Sequence, residues 1–114
     1  MALQYNLAKV YEISENDVEF ALQIVSLFLS EVPDEIKSIK TGIDEKDYSR
    51  TYAAAHKIKP SLDLLGMDLA YEENIQIMTW SKSEGKKKDI KEVYKSLKER
   101  VDLAIKELKK DFKI

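Results

Sequence analysis

The sequence predicts an all-α fold, an antiparallel four-helix bundle with a short additional N-terminal helix. Three observations carry that expectation. Glycine and proline are scarce, three and two in 114 residues, so few positions break a helix. Segments that alternate apolar and polar residues with β-branched side chains are few, which argues against strands. Near the C-terminus, Ile90, Tyr94, Leu97, Val101, Ala104 and Leu108 are spaced 4, 3, 4, 3 and 4 apart, the pattern of a helix that buries one face in a bundle.

The remaining elements follow from the breakers. Asn6 to Glu12 places Leu7, Val10 and Tyr11 at helical spacing, but so short a helix is unstable alone and must pack on a longer one. Ser14 or Asn16 is expected to cap the next helix, which runs from Asp17 to about Thr41 and ends at Gly42. Its core face is expected to be Phe20, Ile24, Leu27 and Phe28. Pro33 lacks an amide and crowds the carbonyl of Leu29, at a cost of about 3 kcal/mol in a straight helix, so a kink is expected there. Asp44 is a candidate N-cap for a helix that passes through Tyr48, Tyr52, Ala55 and Leu62 to Gly66. A further helix spans about Met67 to Ser83, with Met67, Ala70, Tyr71, Ile75, Met78 and Trp80 as its apolar positions. Ser83-Glu84-Gly85 and the lysine run 86–88 form a polar turn, and the last helix extends from Asp89 to about Phe112. Residues 1–114 make one domain, long enough to bury about two thirds of its unfolded surface.

Composition narrows the functional classes. Nineteen basic and twenty-one acidic residues give a net charge of -2, which argues against nucleic acid or an anionic membrane as the main partner and favours protein. Without cysteine there is no thiolate catalysis, disulfide or thiolate metal site, and a single histidine makes no histidine-rich metal cluster. No leader pattern and no run of eighteen apolar residues is present. A soluble, cytoplasmic, monomeric protein is expected.

The single histidine, His56, lies in the run Ala53-Ala54-Ala55-His56-Lys57-Ile58-Lys59-Pro60. Ala55, Ile58, Leu62, Leu65 and Leu69 recur at helical spacing and form one apolar stripe. His56 points about 140° away from the middle of that stripe, into solvent. Small alanines leave its ring unscreened, and Lys59, one turn on, can reach an anion attached to it. Surface histidines on helices are usually silent, and the lysines alone would make an ordinary solvated face. Pro60 is the unusual neighbour, since the carbonyl it leaves unpaired is that of His56 itself. It is expected to bend the helix locally. The six tyrosines, with Met67 and Met78, read as core and rim.

His56-Lys57-Ile58-Lys59-Pro60, with Gly66 ten residues after the histidine, resembles the motif H-x-L-K-G of the histidine-containing phosphotransfer (HPt) domain. Phe28-Leu29-Ser30-Glu31-Val32-Pro33 is similar to the family's F-L-x-x-x-P on the preceding helix, and Asp47-Tyr48 to its acidic-aromatic helix start. The resemblance runs from roughly Val10 to the C-terminus; Pro60 departs from it, standing where the family usually has glycine. It implies a phosphorelay intermediate. His56 would accept a phosphoryl group from the aspartyl-phosphate of a receiver domain, in a response regulator or hybrid histidine kinase, and pass it to another receiver. Lys59 would offset the phosphoryl charge. No cofactor is expected on this chain, with magnesium held by the receiver.

The residues are consistent with that division of labour. Neutral imidazole is a competent nucleophile towards an activated phosphoryl group. Yet the chain has no G-x-x-x-x-G-K-[ST] loop, no glycine-rich turn and no evident acidic cluster for magnesium, so it is expected to be a carrier and not a kinase. The dimerisation and phosphoacceptor segment of a sensor kinase is a rival, disfavoured by Lys57 after the histidine and by proline at i+4; a helical adaptor with an inactive phosphotransfer fold is another. On the helix from Asp17, Val18, Leu22, Val25, Leu29 and Val32 form a second apolar stripe more than about 100° from the first. Leu22, Val25 or Leu29, whichever is exposed, is expected to bind the partner together with Pro60 and the His56 face.

Overall fold

The computed structural model describes residues 5–113. Five helices follow one another: α1 (Ala8–Ile13), α2 (Val18–Asp44), α3 (Tyr48–Leu64), α4 (Asp68–Lys82) and α5 (Lys87–Phe112). The four long helices form an up-down bundle in which α2 packs on α3 and α5, and α4 on the same two, while α1 leans on α2. Among the described residues no helix is long and apolar enough to cross a membrane.

The joints explain why the helices stop where they do. At each one a residue takes up left-handed backbone and the next amide bonds five residues back, a geometry that satisfies the orphan carbonyls of the helix end. Asn16 N donates to Tyr11 O, Asp47 N to Gly42 O, Met67 N to Leu62 O and Gly85 N to Trp80 O. Of the left-handed residues that precede these amides, Glu15, Lys46, Glu84 and Gly66, only the last is glycine. Gly66 is doubly constrained, because a Cβ there would lie 2.7 Å from the carbonyl of Asn6, whose amide donates to Leu65 O. Gly42 does not end α2 as expected; it is buried inside the helix, where a Cβ would run into Thr51. The close approach of α3, not the turn, is what requires glycine there.

Other boundaries also differ from expectation. Asp17, and neither Ser14 nor Asn16, caps α2 by accepting from the amides of Glu19 and Phe20. Asp44 is the last residue of α2, and Asp47 caps α3 through Arg50 N. Its side chain is thus already one turn nearer the first core residue, Thr51. The lysines at 87 and 88 belong to the first turn of α5. Both α2 and α3 run unbroken through their prolines.

The buried stripe of α2 is Ala21, Val25, Phe28, Val32, Ile36, Ile39 and Ile43, which falls between the two stripes read from its N-terminal half. Phe20 and Leu27 are 42% and 58% exposed and are not core residues, whereas Val25 is completely buried. The phase is set by the isoleucines of the second half and by Ala21, a residue too small to stand out in a hydropathy pattern. The α3 stripe holds through Ala55, Ile58, Leu62 and Leu65, but Leu69 is exposed; the chain has turned at Gly66, and the helical phase does not carry across. In α5 every expected position is buried except the half-buried Tyr94. In α4, Ile77 and the polar Asn74 and Ser81 join the core.

Aromatic and polar ties fix the ends. Tyr48 packs on Trp80 with ring centroids 5.1 Å apart and donates to Gly85 O, while Trp80 Nε1 donates to Lys86 O. At the opposite end the Tyr5 hydroxyl donates to Asp111, which brings the N-terminal segment onto α5. Burial first, and then the hydrogen bond to Asp111, push the Tyr5 hydroxyl well above the usual tyrosine range.

Candidate functional site

Helix α3 presents its two sides to different environments. Thr51, Ala54, Ala55, Ile58 and Leu62 are buried, which fixes the helix against α2 and α4, and by the 3.6-residue period His56 lands on the outer side. It is exposed there, as the spacing predicts. His56, Lys59 and Pro60 line one shallow, open depression together with Lys57, Asp63 and Tyr71.

The surrounding charges are not equivalent. Lys57 Nζ lies 2.9 Å from Glu35 Oε2 on α2, and that hydrogen bond holds its ammonium above the usual lysine range. Asp63 is paired with Lys9 of α1, also at 2.9 Å. Lys59, half-buried, has no ion-pair partner among the described residues. One turn from His56, it is the cation left over to meet a negatively charged group on the ring.

Two further residues support the site, one against the ring and one against the backbone beside it. The Tyr52 ring stacks on the imidazole, with centroids 5.9 Å apart and planes 23° from parallel; Lys82 Nζ sits 5.1 Å from the centre of the same tyrosine ring, within cation–π range. From behind, fully buried Asn74 of α4 donates Nδ2 to the carbonyl of Ala55 at 2.8 Å. The next carbonyl, that of His56, loses its regular helical donor because Pro60 has no amide hydrogen. Asn74 thus supports the backbone at the turn that the proline weakens. Its Oδ1 is buried without a hydrogen-bond partner among the described residues, a costly arrangement. From sequence Tyr52 reads only as one of the core and rim tyrosines, and Asn74 does not stand out. Tyr52 was legible as the i-4 neighbour of His56; an asparagine amid α4 gave no signal, because only packing shows that it faces α3.

The residues expected to bind a partner on α2 divide. Val25 is corrected outright: wholly buried, it cannot touch a partner. Leu29 is half-buried and packs on the core. Leu22 is half-buried too, but lines an open groove with Gln23, Ser26, Leu27 and Ser30. None of the three lines the His56 depression.

The solved HPT domain from the Hpt sensor hybrid histidine kinase from Shewanella is similar to this chain with a TM-score of 0.82, covering 96% of this chain and 94% of that one. The chain has the HPt fold. Sequence identity is 14%, so the likeness is one of architecture. No family model matches the chain, and no curated protein sequence matches it. In the HPt fold of this protein, then, the histidine picked out from sequence stands in solvent on a helix that is otherwise buried on its inner side.

Proposed function

We propose that this protein is a phosphocarrier: His56 takes a phosphoryl group from the aspartyl-phosphate of a receiver domain and gives it to a second receiver. The observation that supports this most is an exposed imidazole stacked on Tyr52, with the unpaired ammonium of Lys59 one turn away and Asn74 bonded to the helix backbone at Ala55. A nitrogen lone pair of neutral imidazole attacks phosphorus, the N–P bond forms, and the P–O bond to the aspartyl carboxylate breaks with its electron pair leaving on the carboxylate. Lys59 offsets the charge of the phosphoryl oxygens, and the fixed ring spares the reorientation that a free side chain would need. The receiver supplies magnesium; this chain contributes the nucleophile and the cation and needs no cofactor of its own. The partner approaches over the open surface around His56 and Pro60.

The test is incubation with a phosphorylated receiver. Wild-type protein is expected to acquire an acid-labile, base-stable phosphate, and His56→Gln to acquire none while keeping its helical circular dichroism. Phosphate retained by His56→Gln would remove the histidine from this role, and a wild-type chain that no receiver labels would favour an adaptor on the same fold.

A further inference from the structure

From Val10 to Ile36 the chain carries no lysine or arginine, although nineteen occur elsewhere. The same stretch holds seven acidic residues, from Glu12 to Glu35, all exposed except half-buried Glu35. Between Glu19 and Glu31 there is no charge at all, on a helix with one side in water. Six large hydrophobic residues are exposed among the described residues, and four of them, Ile13, Val18, Phe20 and Leu27, fall within this stretch. Phe20, Gln23, Leu27 and Ser30 recur at i, i+3, i+7 and i+10, on the side of α2 opposite its buried stripe. Leu22 and Leu27 meet in the open groove beside them.

We propose that this outer face of α2, around Phe20 and Leu27, is a docking surface for a protein that presents apolar side chains framed by lysine and arginine. Charge decides among the occupants. A second copy using the same face would set two acidic rims against each other, and nucleic acid or an anionic lipid surface would meet charge of its own sign. A basic partner is drawn in by the rim and held by the uncharged centre. The two neighbouring cations of α1 and α3, Lys9 and Lys57, are already paired with Asp63 and Glu35 and do not cancel the exposed carboxylates. Glu35 also joins this face to the His56 face, since the lysine it binds adjoins the histidine. That the docked protein is the phosphate donor or acceptor rests on the phosphotransfer reading; the surface itself does not.

Two synthetic helical peptides of equal positive charge test it, one built of leucine and lysine and the other of serine and lysine, titrated into the full chain labelled with nitrogen-15. The leucine–lysine peptide is expected to shift amides between Phe20 and Asp34, to bind more weakly as salt rises, and to bind about tenfold more tightly than the serine–lysine peptide. The double variant Glu31→Lys/Asp34→Lys, and separately Leu27→Ser, should each weaken it by about tenfold with helicity unchanged. Shifts that map elsewhere, equal binding of the two peptides, indifference to both variants, or sedimentation as a dimer that these substitutions dissociate would each overturn the proposal. Phosphoramidate, a small donor that needs no docking, separates the two readings: failure to label His56 while peptide binding stands removes the phosphotransfer reading alone, and labelling without peptide binding removes the docking surface alone.

Discussion

The inner and outer sides of α3 are built by opposite rules. Inward, Ala54, Ala55, Ile58 and Leu62 fill space, and Thr51 donates to Asp47 O, so that each position is held by several neighbours. Outward, Ala53, His56, Pro60 and Asp63 are exposed, and His56 depends on one stacked ring and on one amide reaching its helix from behind. The difference teaches where each kind of damage should appear. Loss on the inner side removes stability, and loss on the outer side removes chemistry.

The sharpest break of this comparison uses neighbours two residues apart. His56→Gln is expected to abolish phosphorylation entirely while shifting unfolding free energy by less than about 0.5 kcal/mol; Ile58→Ala should destabilise by about 2 to 5 kcal/mol and leave whatever protein remains folded competent to be labelled. Urea unfolding and labelling measured on both variants check it, and a strongly destabilised His56→Gln would mean that the outer side bears on folding. Asn74 is where the two rules meet. Asn74→Ala should cost about 1 to 3 kcal/mol, from the lost hydrogen bond and the space left behind, and should also slow labelling of His56 by phosphoramidate; loss of stability with labelling untouched would make Asn74 a packing residue only.

Smaller effects separate the two lysines. Lys59→Ala should reduce transfer by the equivalent of about 1.5 to 3 kcal/mol at most, as for one charge-assisted hydrogen bond. Lys57→Ala should change transfer far less, because Glu35 already occupies its ammonium. Equal rates for the two variants would show that proximity in sequence, and not pairing, governs the site. The smallest expected effect lies far from α3. Since the folded state holds the Tyr5 proton more tightly than the unfolded chain does, unfolding is favoured once pH rises past the ordinary tyrosine value of 10.0. Tyr5→Phe should flatten the alkaline part of the stability profile above that pH; an unchanged slope would place the loss on other groups.

Much of this molecule was legible in the chain. The spacing from Ile90 to Leu108 gave α5 and its buried face, the scarcity of breakers gave the fold class, and the angle between His56 and the Ala55–Leu65 stripe gave the exposed imidazole. These are local properties: a helix converts sequence separation into direction at a fixed rate, so the relative directions of residues within one helix follow from their spacing. The failures came where phase had to be shared between elements. Residues of α2 apolar on two sides left its rotation open, and the neighbours α3 and α5 resolved it by burying Val25 and leaving Phe20 and Leu27 in water. Gly42 looked like a helix end, but only the approach of Thr51 shows why no side chain fits there. Asn74 beneath Ala55, Glu35 on Lys57 and Lys82 over Tyr52 join residues that are 19, 22 and 30 positions apart in the chain. By itself the sequence determined which helix carries the histidine and which way it points; the packing of four helices decided which charges remain free around it, because pairing depends on distances that helical periodicity does not encode.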